Sequence, residues 1–298
     1  MLPNAATVFE KLPRTMRRHR LMTWWMRITG EDRLQLVRIR GDAKGYADLS
    51  DGFLRLIVID GDYESDFFRI ADAVLQAGGT FLDVGANHGL LSFGLASKLG
   101  ERVHFHLFEP NPKLVASIDK TLKLYPGMCA EINSVVVSDL DGMVQFWIDE
   151  NQTGASHIMV NGGIGVRAIK LDTYLKNKGI SHVALLKLDI EGYELTALRG
   201  AENALKNQKI DAIYFEYFEK YLIRVSEPYE VIDYLDSLSY EVCFCRHFDL
   251  ENNKGRPVLT LHNGLPGRGL PLIPVHGCRV PAMTDLIAVP RENLVSAS

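Results

Sequence analysis

The chain has 298 residues, 47% of them hydrophobic, with a formal charge of -4 and a pI near 6.1. That length and apolar content suffice for a large core in one or two domains, whereas the mild acidity argues against broad nucleic-acid binding, which needs a basic footprint. Cys129, Cys243, Cys245 and Cys278 form no recognisable disulfide framework, so a reducing cytoplasm is the expected setting.

No apolar run reaches the ~18 residues that span a bilayer. Near the amino terminus Arg14, Arg17, Arg18, His19 and Arg20 precede Trp24, Trp25, Met26 and Ile28. Such a segment suits either weak contact with an anionic membrane surface or a helix that buries its tryptophans on the protein, the expected outcome for an amphipathic stretch. Leu34 to Ile39 and Phe53 to Ile59 read as two strands of a hairpin, and Phe67 to Leu75 as a helix.

Phe81 to Ala96 (FLDVGANHGLLSFGLA) then reads as strand, glycine turn and helix. Gly85 and Gly89 lack a Cβ and let a ligand approach the backbone. Set against the dinucleotide fingerprint G-x-G-x-x-G, the second and third positions are Asn87 and Leu90. Both work against a pyrophosphate at the helix N-terminus. A cofactor without phosphate, presenting an amino acid moiety and a ribose, tolerates Asn87, so the turn favours S-adenosylmethionine over a nicotinamide. His88 lies within this turn, either packed or touching the donor.

Val103 to Phe108 alternates as a strand and stops at Glu109-Pro110. Glu109 is there placed to accept hydrogen bonds from ribose hydroxyls; the bland alternative is a solvated strand-end acid. His104 and His106 share one strand face, where a structural role is expected. Leu114 to Leu124 reads as a helix, and Ala130 to Val137 as a strand ending at Ser138-Asp139. An Asp141-Gly142 turn leads into a strand over Val144 to Ile148. His157 follows in a loop (GASHI), ahead of an element at Ile169 to Leu175. Leu185 to Leu188 is a buried strand, followed by a helix after Gly192; Ala212 to Phe215 is another strand. Tyr217 and Phe218 either pack in the core or show a ring face to an acceptor.

Beyond His247 the chain is rich in Gly and Pro, forming an ordered lid or a mobile loop at about 248–282. Asp285 to Val289 reads as a final strand closing the sheet edge. Cys243, Cys245 and His247 lack a standard zinc spacing, and core packing is their default.

Strands alternating with helices imply a mostly parallel sheet with helices on both faces. Ligands of such sheets bind outside the strands' carboxyl ends. Asp83, Glu109, Ser138, Asp139, Asp189, Glu191 and Glu216 all fall there.

DVGANHG, the upstream Gly61-Asp62-Tyr63-Glu64, and above all Leu186-Lys187-Leu188-Asp189-Ile190-Glu191-Gly192-Tyr193-Glu194 with Leu198-Arg199-Gly200-Ala201 resemble the FkbM-type methyltransferase family, over about Asp60 to Cys245. The resemblance implies an α/β, Rossmann-like class I methyltransferase fold. It also implies S-adenosylmethionine as donor and, usually, O-methylation of a hydroxyl on a sugar, glycan or natural product. Residues 1–59 then form a helix-and-hairpin extension and 60–298 the methyltransferase domain. The expected cofactor-binding residues are Glu64, Asp83, Gly85, Ala86, Asn87, Gly89, Glu109, Pro110, Ser138, Asp139 and Asp189.

Methyl transfer from a sulfonium needs alignment above all, with a base for the hydroxyl proton. Glu191 is the chosen base, Asp189 a donor or acceptor contact, and His157 a second candidate. Glu194 reads as a helix N-terminal charge. Oxygen ligands for a divalent metal are an alternative use of these acids, but no metal is assigned. A nicotinamide-dependent oxidoreductase and a non-catalytic protein retaining the fold are the competing functions.

Overall fold

A computed structural model describes residues 33–49, 54, 64–149, 156–159, 162–253, 255–261 and 269–296. The basic and tryptophan-bearing segment, most of Phe53 to Ile59, and Tyr63 lie outside the described residues.

The central sheet has eight strands: β3 (Gly79–Val84), β4 (Val103–Phe108), β5 (Cys129–Asn133), β10 (Leu185–Leu188), β11 (Ile213–Phe218), β12 (Tyr240–Phe244), β14 (Ile273–Pro274) and β15 (Met283–Pro290). Their order is β14-β12-β15-β11-β10-β3-β4-β5. The five from β5 to β11 are parallel, whereas β15, β12 and β14 join antiparallel. The sheet is therefore mixed. The final strand does not close the edge as expected: β15 is inserted between β11 and β12, and β14, from the Gly/Pro-rich segment, makes the edge. Over β15, LIAV is apolar at every position and buried on both faces, which suits an interior strand.

Two apolar layers sandwich the sheet. One contains Phe67, Phe81, Phe93, Phe105 and Leu185; the other contains Leu82, Val84, Leu186, Leu188 and Phe215. Alternate residues of β3 and β10 thus point to opposite layers, as the period of a strand requires. Helices α1 (Ser65–Val74), α2 (Leu90–Leu99) and α3 (Pro112–Leu122) contribute to the first layer. The second takes α4 (Leu171–Lys178), α5 (Glu194–Arg199), α6 (Glu202–Lys206), α7 (Glu219–Leu222) and α8 (Glu230–Ser237). A further short helix, α9 (His247–Asn252), begins the segment after β12. None of the helices among the described residues is long and apolar enough to cross a membrane.

The amino-terminal hairpin differs from its expected form. β1 (Leu34–Arg40) pairs with β2 (Ala43–Asp48) rather than with a strand at Phe53 to Ile59. The AKGYAD stretch alternates buried and exposed residues despite its low strand propensity, so packing overrides propensity. A buried relay fixes it to the domain. The Asp48 N–H donates to His88 Nε2 at 3.3 Å, His88 Nδ1 lies 2.7 Å from Ser117 Oγ, and Ser117 Oγ donates to the Tyr46 carbonyl at 3.0 Å. An accepting Nε2 places the ring proton on Nδ1. His88 thereby packs the hairpin onto the domain.

The stretch read as one strand to Val137 breaks after Asn133. β6 (Val136–Val137) leaves the main sheet for a second one of order β6-β9-β7-β8, with β7 (Gly142–Trp147), β8 (His157–Met159) and β9 (Ile164–Ile169). A last small pair joins β13 (Leu259–Leu261) to β16 (Leu294–Ser296). Gly200, after α5, anchors the second sheet: a Cβ there would lie 2.0 Å from the Ser138 carbonyl oxygen.

Gly200 has helical φ and ψ of -69° and -11°, so propensity alone favours alanine by about 1 kcal/mol. Overpacking against a backbone carbonyl costs about 1–3 kcal/mol, and sterics should win. Gly200→Ala is predicted to lower Tm by several degrees in thermal unfolding; an unchanged or raised Tm would show that the two backbones separate freely.

Candidate functional site

The site begins with one row of residues across three strands. Lys187 is the register partner of Asp83 on β3 and of Tyr214 on β11, so all three side chains lie on one sheet face. Lys187 is 3% exposed and Asp83 0%. Lys187 Nζ lies 3.2 Å from Asp83 Oδ1 and 3.3 Å from Asp189 Oδ2, and donates to the Gly85 carbonyl at 2.8 Å. Burial works against its charge, but the Asp189 and Asp83 carboxylates outweigh burial and raise its pKa. Asp83 also accepts from Ser92 Oγ at 2.7 Å.

Above this row the glycine turn is pinned from within. The Gly85 and Ala86 N–H groups both donate to the Phe108 carbonyl, at 3.1 and 3.0 Å. A Cβ on Gly85, at φ 76°, would sit 1.9 Å from the Asp189 carbonyl oxygen. The glycine is thus demanded by the neighbouring strand end, not by a ligand. Asn87 adopts a left-handed φ of 53°, and its N–H donates to Glu109 Oε2 at 2.9 Å. The Asn111 N–H donates to Glu109 Oε1 at 2.8 Å. Each carboxylate oxygen keeps one lone pair. Burial raises the Glu109 pKa to about 7 against these two hydrogen bonds.

The turn after β10 is the second wall. Glu191 takes a left-handed φ of 59°. Glu194 is 1% exposed, and its Oε1 accepts from the Ile190 and Gly192 N–H groups at 3.1 and 3.3 Å. It therefore holds the turn rather than serving as a solvated helix-start charge. Glu191 Oε2 and Glu194 Oε2 are buried without a hydrogen-bond partner among the described residues.

An open cleft lies between these walls. Gly85, Asn87, Glu109, Pro110, His157, Asp189 and Glu191 line it. Ala86 and Gly89 pack behind the turn, and Asp83 lies beneath it. Ser138 and Asp139 do not line the cleft. The Ser138 N–H donates to Ile169 as the chain enters the second sheet, and Asp139 is exposed. Val135, Val136 and Val137 line the cleft in their place. The second sheet supplies Phe146, Ser156, His157 and Ile158. Tyr193 Oη, donating to the Ile158 carbonyl at 2.6 Å, ties it to the β10 turn. Pattern reading missed Val135, Phe146 and Tyr193, because β7 to β9 announce a sheet but not which face it covers.

Around Lys187 the strand ends carry a surplus of acids. Burial is the main cause in each: Glu64 rises to about 7, Glu191 to about 8, Glu194 to about 7 and Asp285 to about 6. Glu216 rises to about 10 through burial and then the charges of Asp189, Glu191, Glu194 and Asp285. Arg246 Nη1, 3.6 Å from Asp285 Oδ2, offsets part of this. Among the described residues no group of three His, Cys, Asp or Glu side chains is arranged to hold a metal ion. Cys243 and Cys245 are buried in the core.

The sequence matches the methyltransferase FkbM domain over residues 83–242, more than half of the chain. It is similar to the hexuronic acid methyltransferase AglP of Haloferax volcanii, at 23% identity over 145 residues, 48% of this chain and 59% of that relative's length. Among solved structures it is similar to a precorrin-6y C5,15-methyltransferase from Geobacter metallireducens, with TM-score 0.40, 12% identity, and 76% and 88% of the two chains covered. It is also similar to a SAM-dependent O-methyltransferase from Thermotoga maritima, with TM-score 0.38, 14% identity, and 89% and 80% covered.

Carboxyl groups whose pKa is raised by folding stabilise the protein fully below their unfolded pKa and lose that contribution as pH rises through the folded value. With Glu64, Glu109 and Glu194 at about 7, the ligand-free protein is predicted to lose Tm between about pH 5 and about pH 8. Glu109→Gln should lower Tm at acid pH, since one backbone N–H loses its acceptor, yet shrink the fall between the two pH values. A Tm that rises over this interval in differential scanning calorimetry contradicts the assignment.

Proposed function

The chain belongs to the FkbM methyltransferase family, and we propose that it uses S-adenosylmethionine to O-methylate a hydroxyl of a sugar-type acceptor. The observation that carries this reading is the surplus of partly buried carboxyl groups around Lys187, beside a cleft with a ribose-ready Glu109. S-adenosylmethionine brings a sulfonium and an α-ammonium, two cations against one carboxylate. Glu64, Asp189 and Glu191 suit those cations, and the orphaned Glu191 Oε2 is an acceptor in want of a donor or positive charge.

The same features disfavour a dinucleotide. Its pyrophosphate needs N–H groups at the glycine turn, and those of Gly85 and Ala86 are already spent on Phe108. The nicotinamide oxidoreductase therefore fits less well. The hexuronic acid named for the Haloferax relative supports a sugar as acceptor class.

When bound, the donor supplies an electrophilic methyl group with a good leaving group. Glu109 would hold the ribose through its two free lone pairs, and Val135, Val136 and Phe108 would cover the adenine. Lys187 keeps Asp189 turned toward the glycine turn. Glu191, in the cleft and with its pKa at about 8, is matched to accept the acceptor hydroxyl's proton near neutral pH. A bound cation lowers that pKa further. His157, whose ring packs edge-on to Trp147 at 5.3 Å, is assigned to the acceptor rim rather than to proton transfer.

Transfer of labelled methyl from S-adenosylmethionine to a panel of glycosides tests the reading. kcat/KM for the donor should rise with pH toward a limb near 8, the value burial gives Glu191 in the ligand-free protein. Glu191→Gln should lower kcat by about 10²- to 10⁴-fold and remove the limb. Donor binding without turnover on any hydroxylated acceptor would leave a non-catalytic protein, and hydride transfer from a nicotinamide would overturn the reading.

A further inference from the structure

The loop after β11 brings two aromatic rings and a guanidinium to the Glu191 turn. Gly192, at φ 99°, lies so close to α7 that a Cβ there would sit 2.3 Å from the Tyr221 carbonyl oxygen. The loops after β10 and β11 are therefore packed backbone to backbone, and the position of one sets that of the other. Phe218 ends β11 and Tyr221 lies in α7, with ring centroids 4.4 Å apart at 58°. Both residues are half-buried, leaving ring surface at the carboxyl end of the sheet. The Arg224 guanidinium lies over the Tyr221 ring, 4.2 Å from its centroid. Its Nη1 donates to the Glu191 carbonyl oxygen at 3.1 Å.

Arg224 is exposed, and its hydrogen bond to Glu191 goes to a neutral carbonyl. Among the described residues no carboxylate lies within 4.0 Å of it as an ion-pair partner. Among those residues the guanidinium thus has a carbonyl and a ring face as neighbours but no ion pair. Stacking on Tyr221 and the tie to Glu191 preorganise its planar fork, and such a fork pairs best with a carboxylate through parallel N–H···O bonds. The half-exposed Phe218 ring beside it suits the apolar face of a pyranose ring.

We propose that Phe218, Tyr221 and Arg224 form the acceptor subsite, Phe218 taking the face of a pyranose and Arg224, held on the Tyr221 ring, pairing with a carboxylate on it, so that the preferred acceptor is an acidic sugar. The tie between Arg224 and the Glu191 backbone then links acceptor recognition to the residue placed to take the hydroxyl proton. This subsite rests on the methyltransferase reading of the cleft.

Its test is saturation-transfer NMR on the full chain saturated with S-adenosylhomocysteine, with methyl β-D-glucuronide and methyl β-D-glucoside as probes. The glucuronide should bind more tightly than the glucoside. Arg224→Gln should weaken the glucuronide by about ten- to a hundredfold, the loss of a charge-assisted hydrogen bond, and leave the glucoside nearly unchanged. Phe218→Ala should weaken both probes alike. Equal binding of the two probes to the unaltered protein, no glucuronide binding, or equal glucuronide binding by Arg224→Gln would each overturn the subsite. Calorimetric titration of the same preparations with S-adenosylmethionine separates the two failures: a chain that binds the donor but not the glucuronide loses only this subsite, whereas one that binds no donor loses the function proposed above.

Discussion

A single buried lysine joins fold and site. Lys187 stands in the middle of LLKL, a strand otherwise wholly apolar and buried on both faces. Its charge is tolerable there because Asp83 occupies the matching register position on β3 and Asp189 ends the same strand. Removing one member of such a group leaves an uncompensated buried charge, at a cost of about 3–5 kcal/mol. The same ammonium holds the Gly85 carbonyl. The glycine turn, the β10 strand end and the register of the two central strands are therefore specified together.

Backbone proximity completes what Lys187 begins. Gly85 lets the Asp189 carbonyl approach, Gly192 lets the Tyr221 carbonyl approach, and Gly200 lets the Ser138 carbonyl approach. These three contacts lock the glycine turn, the β10 turn, the β11 loop and the second sheet into one rim. A carboxyl group on this rim is desolvated by its neighbours, and its pKa is raised for that reason. The raised pKa values of the cleft are in this sense a product of packing.

Much of this was legible in the residues. The alternation in Val103 to Phe108, the stop at Pro110 and the strand-glycine-helix pattern at Phe81 to Ala96 placed the central strands and brought Glu109, Asp189 and Glu191 to one end of the sheet. Those signals are local and periodic. The misses have non-local causes. Val137 reads as the end of a core strand because VV looks the same in either sheet; only the pairing of β6 with β9 shows the chain leaving the main sheet. His88 sits within the motif yet is spent on a hairpin 40 residues upstream. The place of β15 inside the sheet cannot be read from DLIAV, since an interior strand and a covered edge share the same apolar pattern.

The central claim is that the acid-rich strand ends are built for a cationic methyl donor. Calorimetric titration with S-adenosylmethionine, in buffers of different ionisation enthalpy and at about pH 6 and about pH 8, tests it most directly. Binding that releases protons and tightens as pH rises, with no binding of NADH, is the predicted result. Binding of NADH in place of S-adenosylmethionine, or donor binding with proton uptake, would contradict it.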